Sequence, residues 1–60
     1  MSQVYNPESD IIARIERLEL EAREVRRRID HVGGPEDRRV LNRQLEEIKR
    51  EVARLQSRLP

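Results

Sequence analysis

The spacing of the apolar residues constrains this chain more than any other feature of its sequence. Between residues 11 and 32, and again between residues 41 and 59, aliphatic residues recur at alternating intervals of four and three positions. This spacing is the heptad repeat of helices that pair along a narrow apolar seam. Gly33, Gly34 and Pro35 separate the two series. The pattern therefore predicts two helices of similar length, joined by a very short turn.

Residues at the ends of each series indicate where the helices begin and end. Asn6 and Pro7 read as an N-cap followed by a first-turn proline, and Gly34 and Pro35 repeat that start signal. Gly33 is expected in the left-handed conformation that commonly ends a helix. We expect a flexible N-terminal tail at 1–5, helix 1 over about 7–32, a turn at 33–34 and helix 2 over about 35–59.

A register test favours an all-α, antiparallel two-helix coiled-coil hairpin. In an antiparallel pair, an a position of one helix lies level with a d position of the other. A turn centred on Pro35 places Ala22 level with Ile48, and every other level also pairs an a with a d. The predicted seam consists of Ile11, Ile15, Leu18, Ala22, Val25, Ile29, Leu41, Leu45, Ile48, Val52, Leu55 and Leu59.

The small size of the chain predicts self-association. It has 60 residues and no cysteine, and one core of this size supplies about 3–5 kcal/mol. We expect a lone hairpin to leave its seam half open, so that two copies close it into a four-helix bundle. Seven arginines and four acids lie between residues 23 and 43, a net +3, whereas the remainder is net −2. Electrostatics therefore favours an antiparallel homodimer.

Two groups of residues outside the seam are candidates for contact with a partner. The apolar residues Ile12, Leu20 and Val40 are interpreted as a possible partner patch. The second group comprises the arginines near the turn, whose guanidinium groups suit phosphates: Arg26, Arg27, Arg28, Arg38, Arg39 and Arg43. Interleaved acids and the lack of an aromatic platform for bases make nucleic acid the less favoured partner.

The remaining charged residues read as helix surface. Oppositely charged residues four apart are expected to pair along the helices: Asp10 with Arg14, Glu19 with Arg23, Glu24 with Arg28, and Glu46 with Arg50. Glu16, Glu19, Glu46 and Glu47 are interpreted as solubilising residues. His31, the only histidine, is expected to be a surface residue in the last turn of helix 1.

The sequence predicts no catalytic residue, no cofactor site and no metal site. It has no apolar run long enough to span a bilayer and no visible secretory leader, so no membrane association and a cytoplasmic location are expected. The function expected is a non-enzymatic interaction module, a small adaptor, scaffold or regulator of another protein. The alternative is a small nucleic-acid-binding dimer that uses its arginine-rich turn end.

Overall fold

A computed structural model of the chain describes residues 7–60, and two helices account for most of them. Helix α1 spans Pro7–His31 and helix α2 spans Pro35–Gln56, and the two pack against each other as a hairpin. The all-helical hairpin predicted from the heptad spacing is therefore confirmed. The predicted tail at 1–5 and the predicted cap at Asn6 lie outside the described residues.

Helix α1 has complementary charge at both ends of its dipole. Glu8 and Asp10 lie in the first turn, and Arg28 and His31 lie in the last. Acids near the amino end and cations near the carboxyl end each stabilise a helix by about 0.3–1 kcal/mol. His31 is exposed and donates a hydrogen bond from Nδ1 to the carbonyl oxygen of Arg27, at 2.8 Å. The imidazole therefore adds a side-chain hydrogen bond to the last turn of α1.

The turn follows a different path from the one predicted. Neither glycine has a positive φ, so the left-handed conformation expected at Gly33 is wrong. Gly34 is instead the extended N-cap of α2, with φ −97° and ψ 142°. An extended conformation is the one favoured for a residue that precedes proline, because the ring of Pro35 crowds the helical alternative. The conformation of the turn thus depends more on Pro35 than on the ability of glycine to adopt a positive φ.

Helix α2 ends three residues earlier than the predicted position 59. Beyond Gln56 the backbone forms hydrogen bonds between residues three apart, as in a 3₁₀ turn. The Arg58 amide donates to the Leu55 carbonyl and the Leu59 amide to the Gln56 carbonyl, each at 3.1 Å. The hydroxyl of Ser57 donates to the carbonyl oxygen of Arg54 at 2.6 Å. Such local bonds satisfy carbonyls at a helix end and compete with continuation of the helix.

All twelve predicted seam residues are buried or partly buried within a single chain. Six of them are only 3–8% exposed: Ile15, Ala22, Val25, Leu45, Ile48 and Leu55. Leu18, Ile29, Leu41 and Val52 pack against the central cluster of Ala22, Val25, Leu45 and Ile48. These eight residues make up four of the six levels of the predicted seam, those nearest the turn. The other six seam residues remain partly exposed in a single chain, and whether a second copy covers them stays a prediction.

Candidate interaction surfaces

The six arginines near the turn do not form one face. All six are exposed, but they occupy five different heptad positions, so they surround the end of the hairpin. Arg28 lines a groove beside the turn. Arg38 donates a hydrogen bond from its guanidinium to the carbonyl oxygen of Val32, at 3.4 Å. The structure thus places these side chains at the turn end of the molecule, as predicted, but on different sides of it.

A surface groove lies at this turn end and is formed by both helices. Its volume is about 440 Å³, and it is lined by Arg28, His31, Val32, Asp37, Val40 and Leu41. Val40 is 63% exposed, whereas its neighbours Val32 and Leu41 are partly buried. The groove therefore offers a small aliphatic floor with charged groups at its margin.

The second groove lies on α1 alone and is smaller, about 210 Å³. It is lined by Glu16, Glu19, Leu20 and Arg23. Leu20 is 62% exposed and is surrounded here by charged side chains of the same helix. The intervals between these residues place all four on one side of a helix. This spacing is present in the sequence, although the sequence by itself predicts only a solubilising role for the two glutamates.

The three apolar residues outside the seam do not come together as one patch. Leu20 and Val40 line separate grooves that share no residue. Ile12, which is 45% exposed, precedes Leu20 on α1 by eight positions, or about 12 Å of helix. We therefore treat the surfaces around Leu20 and Val40 as two distinct candidate sites.

The predicted four-residue ion pairs are not the ones that the structure forms. Glu46 pairs with Lys49 at 3.8 Å, and Glu51 pairs with Arg54 at 3.3 Å, both three residues apart within α2. No other ion pair joins two side chains of residues 7–60. The charges beside Leu20, on Glu16, Glu19 and Arg23, consequently form no ion pair with other described residues.

Polar side chains line both grooves, and none of them is buried. In the part of the chain that the structure describes, no buried residue is polar or charged. The same part has no group of three or more histidine, aspartate or glutamate side chains placed to hold a metal ion. What the two grooves have in common is an exposed aliphatic side chain bordered by charges, which suits contact with another macromolecule.

None of the helices in residues 7–60 has the length and apolar character needed to cross a membrane. No protein-family model matches the chain, and no curated protein or solved structure shows significant similarity to it. The functional interpretation therefore rests on the surfaces just described.

Proposed function

We propose that this chain is a non-enzymatic, self-associating helical-hairpin interaction module, a small adaptor, scaffold or regulator of another protein. One observation carries the proposal: half of the seam residues are buried inside the hairpin, yet Leu20 and Val40 remain mostly exposed in two separate grooves. Two such sites on one rigid rod allow one surface to bind a second copy and the other to bind a different protein.

The burial of half of the seam residues within one chain bears on how a homodimer would be built. The sequence favoured two hairpins that share their seams as a four-helix bundle, but the central seam residues already bury one another. Most e and g positions beside the seam carry charged or amide side chains, which do not suit the widened apolar face of such a bundle. We therefore place the antiparallel homodimer on an outer face, so that the four helices lie side by side.

Solution mass tests self-association directly. We expect light scattering on the full chain to give twice the chain mass at high concentration and a decreasing average mass on dilution. Sedimentation equilibrium on the same samples supplies the dissociation constant. A mass equal to one chain across the whole concentration series would contradict the self-association part of the proposal.

The arginines around the turn support a second candidate function, binding to nucleic acid. Six exposed guanidinium groups at one end of a small protein are a source of phosphate contacts. This proposal predicts binding of single-stranded RNA or duplex DNA that weakens steeply as salt rises. Fluorescence anisotropy at low salt is the test, and absence of binding there would eliminate it.

A further inference from the structure

Four charged residues on the outer side of α1 lie in order of sign about Leu20, and Arg17 and Glu24 lie beside them on the same helix. Two acids, Glu16 and Glu19, precede Leu20, and two arginines, Arg23 and Arg27, follow it. All five residues are exposed, and none belongs to the seam. We call this set the α1 stripe. Its order is negative, apolar, positive along the helix.

Helix geometry and the groove both show that the α1 stripe is continuous. Residues separated by three, four, seven and eleven positions lie on one side of an α-helix. Glu16, Glu19, Leu20 and Arg23 line the same groove, and Arg27 follows Arg23 by one further turn. None of its charged side chains forms an ion pair with another described residue, so all four charges are available to a partner.

We propose that the α1 stripe is the contact surface between two copies of this chain, arranged antiparallel about a two-fold axis close to Leu20. The inference rests on the proposed self-association and specifies where it occurs. In a two-fold dimer the same patch is used on both copies, so the patch must be complementary to itself. A surface that is negative on one side of its centre and positive on the other meets this requirement when it is reversed.

The register of such a dimer follows from the sequence numbers. When Glu19 lies level with the partner's Arg23, Glu16 lies within one residue of the partner's Arg27. The two Leu20 side chains are then two residues apart in level, about 3 Å along the axes. Each acid faces an arginine, and the two exposed leucines cover each other beside the axis. A parallel arrangement would instead bring acids against acids and arginines against arginines.

The turn-end groove is less suited to this contact. Its charged margin contains Arg28 and Asp37, one from each helix, with no ordered change of sign along either. It is formed at one end of the hairpin, so a two-fold axis there would leave most of each rod without a contact. We therefore assign the second copy to the α1 stripe and leave the groove at Val40 for a different partner.

Charge reversal tests this assignment. The double variant Glu16→Arg, Glu19→Arg makes the α1 stripe wholly positive, and Arg23→Glu, Arg27→Glu makes it wholly negative. Each variant alone should raise the dimer dissociation constant by roughly tenfold to a hundredfold, because four attractive contacts become repulsive. An equimolar mixture of the two should form a heterodimer at least as tight as the wild-type dimer. Sedimentation equilibrium measures all three constants, and circular dichroism confirms that each variant remains helical.

A matched control distinguishes the effect of where the charges lie from the effect of the net charge of the protein. The variant Glu21→Arg, Glu47→Arg changes the net charge by the same amount as Glu16→Arg, Glu19→Arg, at exposed sites outside the α1 stripe. It should keep the dissociation constant within about threefold of wild type. Charges outside the contact act on the partner only at longer range, where salt screens their interaction. Leu20→Gln should weaken the dimer, whereas Val40→Gln should not.

The outcomes distinguish this inference from the proposed function. If the wild type dimerises but both reversed variants dimerise equally well, the assigned surface is wrong while self-association stands. Equal weakening by the control variant would also overturn the assignment, since the effect would then come from net charge. If the wild type is monomeric at every concentration, self-association and the α1 stripe dimer are both refuted.

Discussion

Arg38 reaches back across the turn, and its guanidinium donates a hydrogen bond to the main-chain carbonyl of Val32 at 3.4 Å. Arg38 occupies an a position and Val32 a d position, the level next to the turn in the antiparallel register. The side chain therefore binds a carbonyl near the end of α1 from the first turns of α2. It links the two helices at the point where the seam runs out of apolar residues.

Removal of this contact should destabilise the hairpin slightly. We expect Arg38→Ala to lower the free energy of unfolding by about 0.5–1 kcal/mol, the lower part of the range for a hydrogen bond, because the contact is long and exposed. Arg39→Ala is the matched control: it removes the same side chain one position along, where no such bond forms. Urea unfolding followed by circular dichroism measures both, and equal effects would show that the Val32 contact contributes nothing.

The two glycines of the turn should respond differently to alanine. A Cβ at Gly33 would meet no atom within 4 Å, and the backbone there does not have a positive φ. Gly33→Ala should therefore raise the free energy of unfolding by about 0.4–1 kcal/mol, by restricting the unfolded chain.

Gly34→Ala should give no such gain. A Cβ at Gly34 would fit, at 3.6 Å from Oδ2 of Asp37, but this residue is the N-cap of α2, where alanine is disfavoured relative to glycine. Thermal unfolding of both variants under identical conditions checks the contrast. A destabilised Gly33→Ala protein would mean that the backbone at this position needs glycine after all.

Two leucines test the difference between the seam and the outer surface. Leu45 is 8% exposed within the central cluster, whereas Leu20 is mostly exposed. Leu45→Ala should cost about 2–5 kcal/mol, enough to unfold most of a hairpin this small. Leu20→Ala should leave the unfolding free energy of the hairpin within about 0.5 kcal/mol of wild type. Measurements at a concentration below the dimer dissociation constant keep association from masking the comparison, and similar losses at both positions would contradict the assigned core.

The ion pairs within α2 should contribute little to stability. Glu51 and Arg54 are 3.3 Å apart, but both side chains remain substantially exposed. A double-mutant cycle with Glu51→Gln and Arg54→Gln should give a coupling free energy of about 0.2–0.5 kcal/mol, reduced by added salt. A coupling several times larger, or one that salt leaves unchanged, would indicate that the pair is shielded from solvent.

The heptad spacing by itself determined that this chain forms a helical hairpin and which residues lie between its helices. Periodicity is a local property of the sequence, and each seam residue keeps its face of the helix whatever its neighbours do. The position of the turn followed from Pro35 for the same reason, because a proline can begin a helix and cannot continue one. Ile15, Ala22 and Leu55 are buried as the spacing predicts.

The tertiary structure decided the features that depend on path and distance. Gly33 connects the end of α1 to Gly34, which is extended because it precedes Pro35. Glycine permits many backbone conformations, so the sequence alone does not select the one at Gly33. Glu46 pairs with Lys49 and not with Arg50. Sequence spacing allows either pair, and the side-chain conformations decide which charged groups meet. Only packing showed which seam residues one chain buries and that Leu20 and Val40 lie in separate grooves. Which residues are buried, and which exposed residues share a groove, depends on how the two helices pack against each other. The pattern of a single helix does not specify that packing.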